Sequence, residues 1–254
     1  MDPVRNVPVG NQPTFRYPAH GGGLEHYALW CRDSVQATLP TGETQIQLFG
    51  RTAHLTLSWV GADSGAQVTA VVDSLIPDSG QVGFGAILDS ARGSRWTAFR
   101  DPSGRLMGLA GGSGSVVADQ VRDQLLMLFP VIPASGVVPG STWTDSLRQP
   151  ARLSAFSATE SVRLWSRAAL PAPDGSLLIT TVRLRVAADT GTQFGQPINL
   201  RATGSDTLTY RVDQTGRVLE VSGVQASDMV VELPAIGQSV PAKEHSAVRI
   251  LLLQ

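Results

Sequence analysis

His20, Glu25, His26 and Cys31 stand close together near the start of the chain, and they are the residue types that bind zinc or build a thiol nucleophile. Zinc needs three or four donors converging on one point. Here Gly21-Gly22-Gly23 separates His20 from a segment of alternating side chains, so the donors diverge and no metal site is expected. Cys31 shares parity with Tyr27 and Leu29, which reads as a stripe of core residues and an inert thiol, not a thiolate paired with His26 or His54. His54 lies on the polar side of its segment and His245 near the C-terminal strand, where solvated imidazoles are expected. No serine lies in a Gly-x-Ser-x-Gly elbow. Asp73, Asp89, Asp101 and Asp213 fall at strand ends or turns, which gives no carboxylate pair for acid-base work. Gly83-Phe84-Gly85 is a lone Gly-x-Gly without a following helix and reads as a turn or bulge. The chain is therefore read as a non-enzyme with no cofactor.

Arginines and aromatic anchors give the candidate binding residues. A hairpin centred on Pro173, with Leu170 facing Ser176, places Arg163 opposite Arg183, Arg185 diagonal to it and Arg167 on the same face. Directly opposed like charges are destabilising by about 0.2–1 kcal/mol. An acidic partner surface would compensate them. The N-terminal arm, in which prolines recur at positions 3, 8, 13 and 18, is expected to dock on a partner with Phe15 and Tyr17 as its anchors.

The elements that must position these residues are mostly strands. Ala53, Leu55, Leu57 and Trp59 alternate with His54, Thr56 and Ser58, the period of a half-wet strand. Val248, Ile250 and Leu252 close the chain on one face. Phe99-Arg100-Asp101-Pro102-Ser103-Gly104-Arg105-Leu106 recurs as Tyr210-Arg211-Val212-Asp213-Gln214-Thr215-Gly216-Arg217-Val218. In each copy Asp supplies a side-chain acceptor and Gly a positive φ, so each predicts an antiparallel hairpin. One helix is expected near residues 115–129, capped by Ser115, with Val117, Val121, Leu125 and Leu128 at helical spacing and Pro130 ending it. The fold expected is mainly β: two related curved antiparallel sheets or half-barrels with one connecting helix. The expected organisation is an extended arm over residues 1–23, a β unit with the helix over 24–149, and a second β unit over 150–254.

A chain of 254 residues with net charge −1 can bury a sizeable core and has no charge field to draw it onto nucleic acid. One cysteine excludes an intramolecular disulfide. No apolar run reaches the roughly 20 residues that span a bilayer. The start, Met1-Asp2-Pro3-Val4-Arg5-Asn6, shows no visible secretory signal.

Leu128-Phe129-Pro130-Val131-Ile132-Pro133, followed by Val138-Pro139-Gly140-Ser141-Thr142-Trp143-Thr144-Asp145, resembles the centre of an uncharacterised family of β-rich bacterial envelope proteins. Tyr27-Ala28-Leu29 and Val72-Asp73-Ser74-Leu75 fit the same pattern, over most of residues 24 to 233. The resemblance implies an exported or lipid-anchored protein and brings no activity with it. Trp143 is expected to pack and to need an acceptor for its indole N–H.

Two functions are expected. The first is a non-catalytic binding or scaffold protein of the envelope, periplasmic or peripheral on the membrane surface. It would be an accessory subunit docked on a membrane complex, respiratory or photosynthetic, through Phe15, Tyr17, Arg163, Arg167, Arg183 and Arg185. The alternative is a carrier of an apolar ligand such as a lipid, in a cavity lined by Leu55, Leu57, Trp59 and Leu125.

Overall fold

The computed structural model describes residues 14–17, 23–78, 85–153, 156–169, 171–193 and 196–253. Pro3, Pro8, Pro13, Pro18, His20, Gly21, Gly22, Gly83, Phe84 and Leu170 lie outside the described residues. The strands are β1 (Gly23–Thr38), β2 (Thr44–Ala62), β3 (Gly65–Pro77), β4 (Arg95–Arg100), β5 (Leu106–Gly111), β6 (Thr142–Leu153), β7 (Phe156–Ala168), β8 (Leu177–Gln193), β9 (Gln196–Val212), β10 (Val218–Leu233) and β11 (Gln238–Leu253). Two helices interrupt them, α1 (Gly85–Asp89) and α2 (Val116–Leu125).

The strands form one antiparallel sheet of 11 in the order β5-β4-β3-β2-β1-β11-β10-β9-β8-β7-β6, neither closed nor strongly curled. This corrects the expectation of two curved sheets or half-barrels. The two β segments meet because the first strand pairs with the last, Tyr27 opposite Leu252 and Cys31 opposite Val248. Each supplies an edge that the other covers, so neither presents an open ladder at the junction. The outer edges are β5 and β6. Residues 112–141, which join those edges, cross one face of the sheet and fill it with α2, Leu128, Phe129, Ile132 and Val137, all buried.

The core on this covered face draws on the whole chain, from Tyr27, Leu29, Leu55 and Leu57 to Tyr210, Val221, Val248 and Ile250. Arg100 lies inside it at 1% exposure. Its guanidinium carbon sits 4.5 Å from the Tyr17 ring, 4.7 Å from Trp59 and 5.4 Å from Phe129. Desolvation lowers its pKa, and the aromatic faces offset part of that penalty by attracting the cation.

Both Asp-Gly repeats are hairpin turns of one design, β4 to β5 and β9 to β10. Asp101 Oδ1 accepts from the N–H and hydroxyl of Ser103 and the N–H of Arg105, as Asp213 Oδ1 does from Thr215 and Arg217. Gly104 and Gly216 hold φ of 90° and 83°. The expected helix is present, with the Ser115 side chain accepting from Ala118 N–H, but it ends at Leu125, and turns carry the chain on to Pro130. Gly85 does begin a helix, the single turn α1, contrary to the reading of Gly83-Phe84-Gly85 as having none after it.

Candidate ligand cavity

Along the covered face of β1 the buried parity runs Tyr27, Leu29, Cys31, then Asp33 and Val35. On β2 the same row runs Trp59, Leu57, Leu55, Ala53 and then Arg51. The apolar stripe of each strand thus ends in a charged residue at the same level of the sheet. Arg51, 4% exposed, donates from Nη1 to Asp33 Oδ2 at 3.3 Å. Asp33 Oδ1 accepts from Ser246 Oγ at 2.5 Å and from the Cys31 thiol at 3.2 Å. Nε and Nη2 of Arg51 are buried without a partner among the described residues, so the pair is held at a cost in desolvation.

Beyond this pair the covered face is not filled. A cavity of about 290 Å³ lies between β1, β2, β10 and β11 on one side and α1 and α2 on the other. Val35, Phe49, Leu88, Val117 and Met229 give it apolar wall, whereas Asp33, Arg51, Gln47, Gln120 and Glu244 give it a polar one. Ile87 of α1 and Val116 of α2 stand at its rim, 54% and 53% exposed. Glu244, half-buried, has its carboxyl pKa raised by burial and by the charge of Asp33, against the opposing pull of Arg185 and a hydrogen bond from Ser227.

The carrier reading placed its cavity around Leu55, Leu57, Trp59 and Leu125. Those residues are a filled core, all at 4% exposure or less, and the void against Leu57 and Leu125 is only about 10 Å³. That counts against a ligand there. The open space lies at the other end of the same face, past the Asp33–Arg51 pair.

The other candidate residues are dispersed. Phe15 and Tyr17 belong to the chain's own core. Phe15 exchanges backbone hydrogen bonds with Val137 at 2.8 and 2.9 Å, and Tyr17 donates its hydroxyl to Pro130 O at 2.8 Å. The four arginines do not share a face. Arg163 lies opposite Leu184, and Arg183 opposite Leu164 and Asp206, because Ala168 pairs with Ile179 and shifts the hairpin one residue from the expected register. A one-residue shift exchanges the faces of every side chain on the strand. Arg163 and Arg167 therefore stand exposed on the open face, away from the helices. Arg183 and Arg185 turn to the covered face. There Arg183 grips the buried Asp206 through two hydrogen bonds of 2.6 and 2.7 Å, and Arg185 reaches Asp206 and Glu160 at 3.2 and 3.3 Å. The opposed like charges of the expected register do not occur.

His26 and His54 lie on the open face, each beside a hydroxyl: Nδ1 of His26 is 2.9 Å from Thr56 Oγ1, and Nδ1 of His54 is 2.8 Å from Ser74 Oγ. Thr56 donates its proton to Asp73 at 2.7 Å, the wrong direction for a histidine-activated nucleophile. Cys31 is fully buried, and burial together with Asp33 pushes its thiol pKa up to about 12, which leaves negligible thiolate at neutral pH. Among the described residues no three His, Cys, Asp or Glu side chains are grouped to hold a metal ion. Among the described residues no helix is long and apolar enough to cross a membrane. Trp143 is half-buried against the core and donates its indole N–H to Val131 O at 2.8 Å.

Asp33 and Arg51 went unnoticed in the sequence. Their signal was the intrusion of a charge into the buried parity of two neighbouring apolar stripes. Comparison with protein-family models, curated proteins and solved structures finds no match to this chain.

Proposed function

We propose that the chain is a non-catalytic binding protein of the bacterial envelope whose ligand is a small neutral amphiphile, held in the cavity between the sheet and α1 and α2. The observation that carries this reading is the cavity itself: about 290 Å³, apolar on the side of Val35, Phe49, Leu88, Val117 and Met229, and polar on the side of Asp33, Gln47, Arg51 and Glu244. Its volume suits a short acyl chain with an ester or amide head. Two carboxyl groups stand in the wall against one arginine, which is bonded to Asp33 through Nη1 and has its other two nitrogens buried, so a free carboxylate or phosphate head gains little there. The envelope placement rests on the Pro139-Gly140 to Asp145 motif. Docking through the arm is not favoured, because Phe15 and Tyr17 are occupied in the core.

Titration calorimetry with a short monoacylglycerol, against the matching fatty-acid anion, tests the reading. Val116→Trp, at an exposed rim position, narrows the mouth without disturbing the core. We expect the ester to bind and the anion to bind at least tenfold more weakly, a difference of about 1.4 kcal/mol. Val116→Trp is expected to abolish binding while leaving the melting temperature unchanged. No binding of the ester, or binding indifferent to Val116→Trp, contradicts the proposal.

A further inference from the structure

The face of the sheet opposite the helices carries a second surface, separate from the cavity. On β6 to β9 its outward positions include Thr144, Arg148, Arg163, Trp165, Arg167, Val182, Leu184, Val186 and Arg201, and none of the described outward positions on these four strands is an aspartate or glutamate. Trp165 lies directly opposite Val182, and Arg163 opposite Leu184, so cation and apolar side chains interleave. Trp165 is 43% exposed, Leu184 47% and Val186 55%. Arg148, Arg163, Arg167 and Arg201 form no ion pair among the described residues. The carboxylates of the same strands, Asp206 and Glu160, are turned to the other face by the strand register.

We propose that this face docks on an anionic lipid surface. The charge of these four arginines is one-signed and unpaired among the described residues, and it is spread over β6, β7 and β9, with the apolar positions of β8 between them, instead of being gathered in a depression. Trp165 and the three aliphatic residues between the arginines supply the shallow apolar contact that an interfacial headgroup layer accepts. Arginine adds bidentate hydrogen bonding to phosphate. An acidic protein would satisfy the charge, but it would leave the interleaved valines and leucine to be matched by a complementary apolar surface.

The test is cosedimentation of the full chain with vesicles of phosphatidylcholine alone and of phosphatidylcholine mixed with phosphatidylglycerol. We expect binding only to the anionic vesicles, weakening as salt is raised. Each arginine near such a surface contributes about a fivefold change in partitioning, so Arg163→Gln/Arg167→Gln should reduce it by roughly 25-fold. Trp165→Ser should reduce binding with less change in salt dependence. These positions are exposed, and an unchanged melting temperature and an unchanged monoacylglycerol affinity would show that the variants remain folded. Absence of vesicle binding, including a case in which the chain is instead held by an acidic protein, overturns the proposal. So does vesicle binding that survives Arg163→Gln/Arg167→Gln.

Discussion

Asp33 marks where the covered face changes from apolar to polar, and its neighbours show how the chain manages buried charge. Its carboxylate accepts from Ser246, Cys31 and Arg51, so its oxygens are satisfied where an unpaired buried polar group would be costly. Glu244 is left the poorer site: burial and the negative Asp33 raise its pKa. A carboxyl whose folded-state pKa is raised contributes stability that is fully present below the unfolded value and lost as pH rises through the folded value. Glu244→Gln cannot ionise and keeps a hydrogen-bonding group for Ser227. Urea unfolding between about pH 4 and about pH 8, spanning the ordinary glutamate range, should show the variant gaining on the parent as pH rises. A difference that shrinks with rising pH would show that Glu244 is stabilised as the anion. Cys31 was legible at this scale because its parity with Tyr27 and Leu29 fixed its burial. Arg100 was not, since nothing in the sequence of a β4 strand announces three aromatic rings from Tyr17, Trp59 and Phe129 closing over its guanidinium.

At the level of elements, the two hairpins show local chemistry fixing local form. Asp accepts three hydrogen bonds and Gly takes the positive φ, within five residues of chain in each copy. Gly104 has a second duty, because a methyl group there would collide with the Tyr17 ring and the Pro130 carbonyl. Gly42, at φ 84°, meets nothing within 4 Å and isolates the backbone strain. Gly42→Ala should cost about 1 kcal/mol and Gly104→Ala on the order of 3 kcal/mol by chemical denaturation. Equal losses would mean that the arm does not press on the turn. The hairpins and the Ser115 cap were readable because their signals sit within a few residues. The β7–β8 register was not: a turn centred on Pro173 with Leu170 facing Ser176 was expected, whereas Asp174 accepts from Ser176 and Ala169 N–H donates to Leu178 O, which sets the pairing one residue away and buries Leu164, Ile179 and Ala187 together with Asp206. That slip is why four arginines read as one cluster occupy two faces. The edge strand β5 is short and carries Gly108 and Gly111 at φ 66° and 114°, which blunts it against pairing with another chain.

Across the whole molecule, the pairing of β1 with β11 turns two meanders into one sheet. Alternation in the sequence showed that strands dominate, but not that residues near positions 27 and 252 are neighbours, since long-range pairing leaves no local mark. The core takes Tyr210, Val221 and Ile250 from one side of that seam and Leu29, Leu55 and Leu57 from the other. A fragment of residues 24–149 would expose the β11-facing edge of β1 and half of this core. We expect it to lack a cooperative unfolding transition; a soluble, cooperatively melting fragment would show that the N-terminal strands stand alone. The cavity is a product of the same architecture, because α1 and α2 lie over the charged end of the face without filling the space beneath them. The most direct test of that cavity is a methyl NMR titration of the full chain with a short monoacylglycerol. The account predicts shifts at Val35, Leu88, Val116, Val117 and Met229 while Leu55, Leu57 and Leu125 stay unmoved. Shifts confined to Leu55, Leu57 and Leu125, or to Val182, Leu184 and Val186 of the opposite face, would contradict it.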